Sequence, residues 1–438
     1  MELEITQELL LTRSTLNPVA PIAVGTPEVE SMVSYFCRLA MSHCISASDL
    51  GREVVRIMRW DFSSSYRWFR VQMSGMSEAA ENWVYALSKL TSMRELESLT
   101  LVPWRGIIAM TLPRIASARW CPCCLAEDGA TSRKPYFRLA WDVGVVTACP
   151  RHQIQLVDAC PTCGKSNTRH GAAFVMPGWC TACGSFLGGD SAEKHVKATQ
   201  EEVWVASQVG AMLASKSVLA SRSTLATVRS TIRRLIDCMD DGKSAVFARR
   251  VGLSKTIMHE WLTGEVVPSL TGLLRIASQT GLTLPNLLSG DLAGWQPGNG
   301  EMRNLDSLLR KSKNRSTPQV RDWDHIRATL LALLDSSPVV SVREAARGLN
   351  VSARELYRCA NAEARALGKR WNDERRMRGE QSRDAASDVI KAAYAEISAS
   401  GKSVNLRALL EHMPAKDFGS LRNPVKLLRE IREGENLS

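Results

Sequence analysis

The chain has 438 residues, 45% of them hydrophobic and 23% charged, with 56 Lys and Arg against 45 Asp and Glu and a net charge of +11. At about 100–200 residues per domain this is a multidomain globular protein, and the composition excludes a wholly disordered or collagen-like chain. The positive excess points to a polyanionic partner, nucleic acid before membrane, and no run of 18 uncharged apolar residues exists to span a membrane.

Residues 1–118 read as an N-terminal helical region. The opening Met1–Leu10 carries three glutamates and no basic segment ahead of an apolar one, so no secretory signal is expected. Twelve Cys in such a chain are reduced thiols or metal ligands rather than disulfides, and the sequons at Asn314 and Asn350 are accidents of composition. Thr26-Pro27-Glu28-Val29-Glu30 has the form of a helix start, with a Thr cap, Pro at the first helical position and early acids. Met32, Val33, Phe36, Leu39 and Ala40 then give one apolar face. Trp60, Trp68, Trp83 and Trp104 are expected in packing rather than base stacking.

Residues 119–196 read as a tandem zinc-binding module of zinc-ribbon or zinc-finger type, and eight of the 12 cysteines fall between Cys121 and Cys183. Cys121-Pro-Cys-Cys124 is followed by Cys149-Pro-Arg-His152. A C-x-x-C turn aims two thiolates at one point, and the second pair closes a tetrahedron. Cys160-Pro-Thr-Cys163 and Cys180-Thr-Ala-Cys183 follow with 16 residues between the pairs, inside the spacing range of a four-cysteine zinc ribbon. Gly164 and Gly184 sit where a knuckle wants a left-handed backbone. Cys123 lies inside the first knuckle, but Cys121 and Cys124 have the ligand spacing; His170 reads as a loop histidine. Two structural zinc ions are expected, each with four protein ligands and no open position for water. Neither H-E-x-x-H nor the H-x-E of the zinc deaminases occurs in the sequence.

Residues 197–296 read as a helical region, and within it 244–290 carries a helix-turn-helix pattern. Ala248 permits close helix contact, Gly252 makes the turn, Ser254 caps the second helix, and Met258 with Trp261 lock it. Gly264, Pro268-Ser269-Leu270 and the following apolar run resemble the Cro/repressor type of five-helix domain. In such a domain Ser254, Lys255, Thr256 and His259 would face bases in the major groove, and Arg249 and Arg250 would suit phosphates. A helical interaction module that keeps this fold without binding DNA is the competing reading.

Residues 297–323 are a linker, opened by Gln296-Pro297-Gly298-Asn299-Gly300 and continued by the polar, basic Lys311–Pro318. Two further modules follow, at 324–380 and 384–438. In the first, Ser341–Leu349, the turn Asn350-Val351-Ser352 and Ala353–Leu367 fit helix-turn-helix, with Arg354 and Arg358 outward one turn apart. A shift of 64 residues aligns Leu330 with Tyr394, Leu333 with Ile397, Val342 with Leu406, Arg343 with Arg407, Ala346 with Leu410 and Leu349 with Met413, a weak internal duplication. Net charge by successive hundreds is −3, +5 and +2, and +7 beyond residue 300. That asymmetry favours a protein partner at the front and DNA at the back. The remaining Cys37, Cys44, Cys238 and Cys359 are expected as core thiols.

The overall expectation is a mainly α, multidomain chain. Gly242-Lys243-Ser244 and Gly401-Lys402-Ser403 look like the tail of a Walker A loop, but Asp237 and Glu396 stand where its first glycine belongs. No G-x-S-x-G elbow or dinucleotide fingerprint is present, so the chain is expected to be no enzyme.

Cys121-Pro-x-Cys124, Tyr136, Trp141, Cys149-Pro-x-His152-x-x-x-Leu156 and Cys160-Pro-x-Cys163, with the earlier Glu30-Ser31-Met32-Val33-Ser34-Tyr35, resemble the TniQ family of transposon target-selection proteins. The family usually reads Leu and Trp where this chain has Met32 and Tyr35. The resemblance covers roughly residues 20–190, and the C-terminal part looks like the helix-turn-helix tail of the longer, TnsD-like members. It implies a target-site selection adaptor that binds double-stranded target DNA and recruits an AAA+ ATPase regulator and the transposase machinery. The regulator would face the N-terminal segment and first zinc module, in a bacterial cytoplasm at the nucleoid. An adaptor docking on a CRISPR effector complex without reading DNA, and a zinc-containing Cro-like transcriptional regulator, are the alternatives; homodimer formation is left open.

Overall fold

The structure is a computed structural model, and it describes residues 14–60, 67–109, 118–131, 134–166, 169–189, 192–219, 223–298, 303–305, 308, 321–412 and 424–435. The expected C-terminal linker core, Lys311–Pro318, and the acidic opening Met1–Leu10 lie outside the described residues. The protein is mainly helical and divides into two compact units, residues 1–310 with 414–426 and residues 311–413 with 427–438.

The first unit opens with α1 (Met32–Ser42), α2 (Ala47–Ile57) and α3 (Glu78–Thr91). Each starts at a serine whose side chain accepts a backbone N–H of the first turn: Ser31 from Ser34, Ser46 from Asp49, Ser77 from Ala80. The helix expected to start at Thr26 therefore starts later. Residues 29 and 30 are instead held extended, because Ser31 N–H donates to the Phe137 carbonyl at 2.8 Å and Leu139 N–H donates to the Val29 carbonyl at 2.8 Å. Around Phe36 the rings of Trp68 and Trp83 pack at centroid distances of 5.3 and 5.4 Å, and Trp104 is buried nearby in the same core.

α4 (Pro122–Ala130) and the two-stranded antiparallel β1 (Ala148–Cys149) and β2 (Ile154–Gln155) frame the cysteine-rich segment. α5 (Gln200–Ala214) begins with a capping box made by Thr199 and Glu202. The buried Glu202 carboxylate also accepts from Thr147 Oγ1 at 3.0 Å and Gln155 Nε2 at 3.2 Å, tying α5 to the hairpin. The short α6 (Lys216–Leu219) leads to five more helices: α7 (Leu225–Asp240), α8 (Ser244–Arg250), α9 (Lys255–Thr263), α10 (Leu270–Thr280) and α11 (Leu284–Ser289).

These five helices are no tethered module. Ala109 N–H donates to the Pro268 carbonyl at 2.8 Å, Leu270 N–H to the Ala109 carbonyl at 2.9 Å, and Leu284 N–H to Gln208 Oε1 on α5 at 2.7 Å. One apolar core accordingly runs from Leu16 to Leu305 through all three stretches. Leu305 falls inside the expected linker yet is 2% exposed, since Arg303 N–H reaches the Ser278 carbonyl and carries the chain back over α10. Cys37 is buried, whereas Cys44 and Cys359 are half-buried and Cys238 is exposed on α7 rather than in a core.

The second unit has its own core, built from Ile326, Leu330, Val342, Ala345, Ala346, Leu356, Ala360, Ala364 and Leu367 among others. Its elements are α12 (Trp323–Asp335), α13 (Val342–Gly348), α14 (Ala353–Cys359), α15 (Asn361–Ala399) and α16 (Leu406–His412), and the last helix among the described residues is α17 (Pro424–Glu435). Capping boxes at Ser341/Glu344 and Ser352/Glu355 start α13 and α14. The continuous helix expected over Ala353–Leu367 breaks at Ala360, whose φ of −135° and ψ of 57° are not helical. The boundary expected between residues 380 and 384 falls inside α15, which runs 39 residues without interruption, as a Pro-free stretch of alternating charges allows. The 64-residue shift carries the end of α12 at Asp335 onto the end of α15 at Ala399, and Val342–Gly348 onto Leu406–His412.

Candidate metal centres and nucleic-acid face

Two clusters each bring four potential ligand atoms within 4.8 Å of one another: Cys121, Cys124, Cys149 and His152, and Cys160, Cys163, Cys180 and Cys183. Either set can hold a metal ion. The eight residues singled out by spacing thus meet in two groups, and Cys123 and His170 join neither.

The first cluster is assembled by α4 and the β1–β2 turn. Cys121 is the N-cap of α4, Pro122 occupies its first turn, and Cys124 lies one turn on, so the start of the helix brings both sulfurs to one point. His152 presents Nδ1 to the thiols, 3.3 Å from the sulfur of Cys124 and 3.5 Å from those of Cys121 and Cys149. The turn closes as Gln153, at φ 54°, donates its N–H to the Cys149 carbonyl at 2.9 Å. On the far side of the imidazole, Nε2 is 2.9 Å from Glu127 Oε1, and Arg151 Nη2 is 2.8 Å from Glu127 Oε2. Glu127 was not singled out by the sequence, although Cys121, Cys124 and Glu127 repeat at three-residue intervals and share a face of α4.

The second cluster is a symmetric pair of knuckles. Gly164 (φ 65°) and Gly184 (φ 77°) take the left-handed conformation and donate to the carbonyls of Cys160 and Cys180. Cys160–Cys183 and Cys163–Cys180 sulfurs lie 3.7 and 3.8 Å apart. Proximity forces proton sharing. The Cys149 thiol is held far below the ordinary range because the thiols of Cys121 and Cys124 donate to it. Cys183 is held down in the same way by Cys160, Cys163 and Cys180.

His170 lies in a loop, outside both ligand sets, and is buried there with its ring 6.4 Å from that of Trp68. Burial, then the adjacent Arg169 charge, push its imidazole down to about 3. Beside it, Arg169 pairs with Asp142 and donates to the Arg119 carbonyl at 2.8 Å. A second buried guanidinium, Arg138, pairs with Asp128 of α4 and, at 2.9 Å, with Glu28, and lies 4.1 Å from the ring centre of Tyr136. The first cluster is thereby tied to the segment ahead of α1.

On the five-helix part, Ser254 caps α9, and Ser254, Lys255, Thr256 and His259 are all exposed along its first turns. Gly252 turns at φ 68°, and Ala248, Met258 and Trp261 are buried. At the other end of α9, Arg229 and Arg233 of α7 donate to the carbonyls of Gly264 and Leu262 at 3.1 and 2.6 Å, which suits the negative end of a helix dipole. Arg249 is exposed, whereas Arg250 is engaged by Asp240 at 2.6 Å.

In the second unit Arg354 and Arg358 are exposed on α14. Sequence reading passed over two matching pairs, Arg343 and Arg347 on α13 and Arg365 and Lys369 on α15, which are also exposed. Each pair is spaced by four residues and successive pairs by 11, a regularity visible in the sequence alone. Among the described residues no helix is long and apolar enough to cross a membrane.

The sequence model of the TniQ family matches residues 21–156, the stretch that contains the first cluster and the helices ahead of it. No curated protein matches the chain.

Proposed function

The chain is a TniQ family protein, its TniQ domain lying at residues 21–156, and from this premise we propose that it selects target sites for a DNA transposon, reading DNA itself and recruiting an AAA+ ATPase regulator and the transposase. A TniQ domain already associates the chain with transposition as an adaptor. The observation that carries the finer reading is the fusion, within one core, of that domain with α7–α11, where Ser254, Lys255, Thr256 and His259 are exposed at the start of a helix locked from behind by Met258 and Trp261. This is the disposition of a recognition helix: its N-terminal side chains reach base edges while Arg249 meets a phosphate. Arg354 and Arg358, with the neighbouring pairs on α13 and α15, supply a second cationic surface for the backbone. The domain divisions then follow function, with residues 21–156 facing the regulator and the later helices facing DNA.

Zinc is the ion proposed for both clusters. A tetrahedral ion with Zn–S of about 2.3 Å and Zn–N of about 2.0–2.1 Å needs sulfur–sulfur edges of about 3.8 Å and sulfur–nitrogen edges of about 3.5 Å. The Cys124–Cys149, Cys160–Cys183 and Cys163–Cys180 sulfurs are 3.6–3.8 Å apart, and the three sulfurs of the first cluster lie 3.3–3.5 Å from His152 Nδ1. Three thiolates with one imidazole, and four thiolates, are structural donor sets, so zinc supplies a cross-link rather than a reactive centre. The adaptor carries no catalytic step of its own in this reading.

The test is direct. Purified chain is mixed with DNA from insertion sites of its element, with unrelated DNA and with the co-encoded ATPase. Selective retention of the insertion-site DNA and co-elution with the ATPase are expected. A chain that binds neither overturns the proposal, and one that binds the ATPase but no DNA reduces it to an adaptor delivered by another complex.

A further inference from the structure

We infer that Glu127 is the positioning residue of the first metal centre, holding the His152 ring so that Nδ1 is offered to the ion. The inference rests on the zinc reading above and concerns a residue outside both ligand sets. A neutral imidazole carries one N–H and one lone pair, on different nitrogens. A carboxylate can only accept, so the 2.9 Å approach of Glu127 Oε1 to His152 Nε2 places the proton on Nε2 and leaves the Nδ1 lone pair facing Cys121, Cys124 and Cys149. Without that partner the ring can rotate or carry its proton on Nδ1, where it would face the ion.

The geometry leaves little freedom for another arrangement. Glu127 stands on α4 one turn beyond Cys124, which stands one turn beyond Cys121, so the helix that delivers two thiols also delivers the acceptor. Arg151, the residue before His152, clamps the second carboxylate oxygen at 2.8 Å. Ligand segment and acceptor helix are thus tied twice, once through each side of the carboxylate. The second cluster contains no imidazole and needs no such residue, so the two centres should respond differently to the same substitution.

The experiment uses the full chain as wild type, Glu127→Gln and Glu127→Ala. Zinc content is measured by elemental analysis, and release to a chromogenic chelator is followed in time. Glu127→Ala is expected to release one of two zinc equivalents about 10–100-fold faster than wild type, the usual effect of losing such a partner, with the other equivalent unchanged. Glu127→Gln, whose amide oxygen still accepts from Nε2, is expected to stay close to wild type. Release of both equivalents at the wild-type rate in Glu127→Ala overturns the inference. So does acceleration of both together, which means general loosening, or a Glu127→Gln protein as labile as Glu127→Ala. A wild-type chain that takes up no zinc overturns the underlying zinc reading instead, and the two failures are distinguishable.

Discussion

Trp261 of α9 occupies the space that a side chain at Gly272 of α10 would need: a Cβ built there would lie 2.1 Å from Trp261 Cη2. The indole is 2% exposed and anchors α9 to the core of the first unit. Ala normally gains up to about 1 kcal/mol over Gly inside a helix. Here the clash should outweigh that gain, and Gly272→Ala is expected to cost about 1–3 kcal/mol, the usual range for overpacking. Urea unfolding midpoints at unchanged slope provide the measurement; an equally stable or more stable variant would remove Trp261 as the lock on α9.

Neighbouring arginines on α8 should separate by role. Arg250 engages Asp240, whose side chain is 4% exposed, while Arg249 is exposed and makes no ion pair among the described residues. Truncating Arg250 strands a nearly buried carboxylate, so Arg250→Ala is expected to lose about 1–3 kcal/mol of stability. Arg249→Ala is expected to leave stability within about 0.5 kcal/mol. Instead it should weaken DNA binding evenly across sequences and lower the slope of log affinity against log salt by about 1. Equal effects of the two substitutions on both readouts would contradict this assignment.

The contrast between Arg249 and Arg250 shows where sequence reading stops. Both metal clusters were legible because a C-x-x-C turn converges two thiols whatever surrounds it, and the ligand spacing did the rest. The five-helix arrangement was legible because Ala248, Gly252, Ser254 and Trp261 each do a local job. What was hidden depends on contacts distant in sequence. Nothing near Thr26 says that Val29 and Ser31 pair with residues 137–139, which delays α1. Nothing near Ala109 says that it holds Pro268 and Leu270, which turns three expected domains into one core. Nothing near Ala360 says that Arg327, 32 residues away, donates to the neighbouring Cys359 carbonyl at 2.9 Å where the helix breaks.

That shared core changes what metal removal should do. Cys121, Cys124, Cys149, Cys160 and Cys180 are all buried within it. Trp120, fully buried, pairs with Val157 through both backbone groups and donates its indole N–H to the Leu187 carbonyl at 3.1 Å. Asp128 on α4 carries the disturbance through Arg138 to Glu28. The chain is expected to hold two metal ions. Chelation should abolish hydrogen-exchange protection over residues 119–189 and reduce it in α1, because structural zinc supplies folding energy. α12–α15, with a separate core, should keep theirs. Loss confined to 119–189 would mean an independent zinc module, and one metal per chain would exclude one of the clusters.

His170 sets an acid limit on the same unit. Its imidazole is pushed down to about 3, chiefly by burial and then by Arg169, so the folded chain holds it neutral while the unfolded chain protonates it below about 6.5. The unfolded state then binds the extra proton. The stabilisation from keeping His170 neutral is complete above about pH 6.5 and is lost as pH falls toward 3. At pH 5.5 the loss should reach about 1.4 kcal/mol. His170→Leu cannot take up that proton and packs an apolar group beside Trp68. Protonation of the metal ligands is common to both proteins and cancels in their difference. Urea unfolding of wild type and variant between pH 7.5 and 5.5 should therefore show the wild type losing ground steadily to the variant. A stability difference that stays constant over this range would mean that His170 is hydrated or charged in the folded protein.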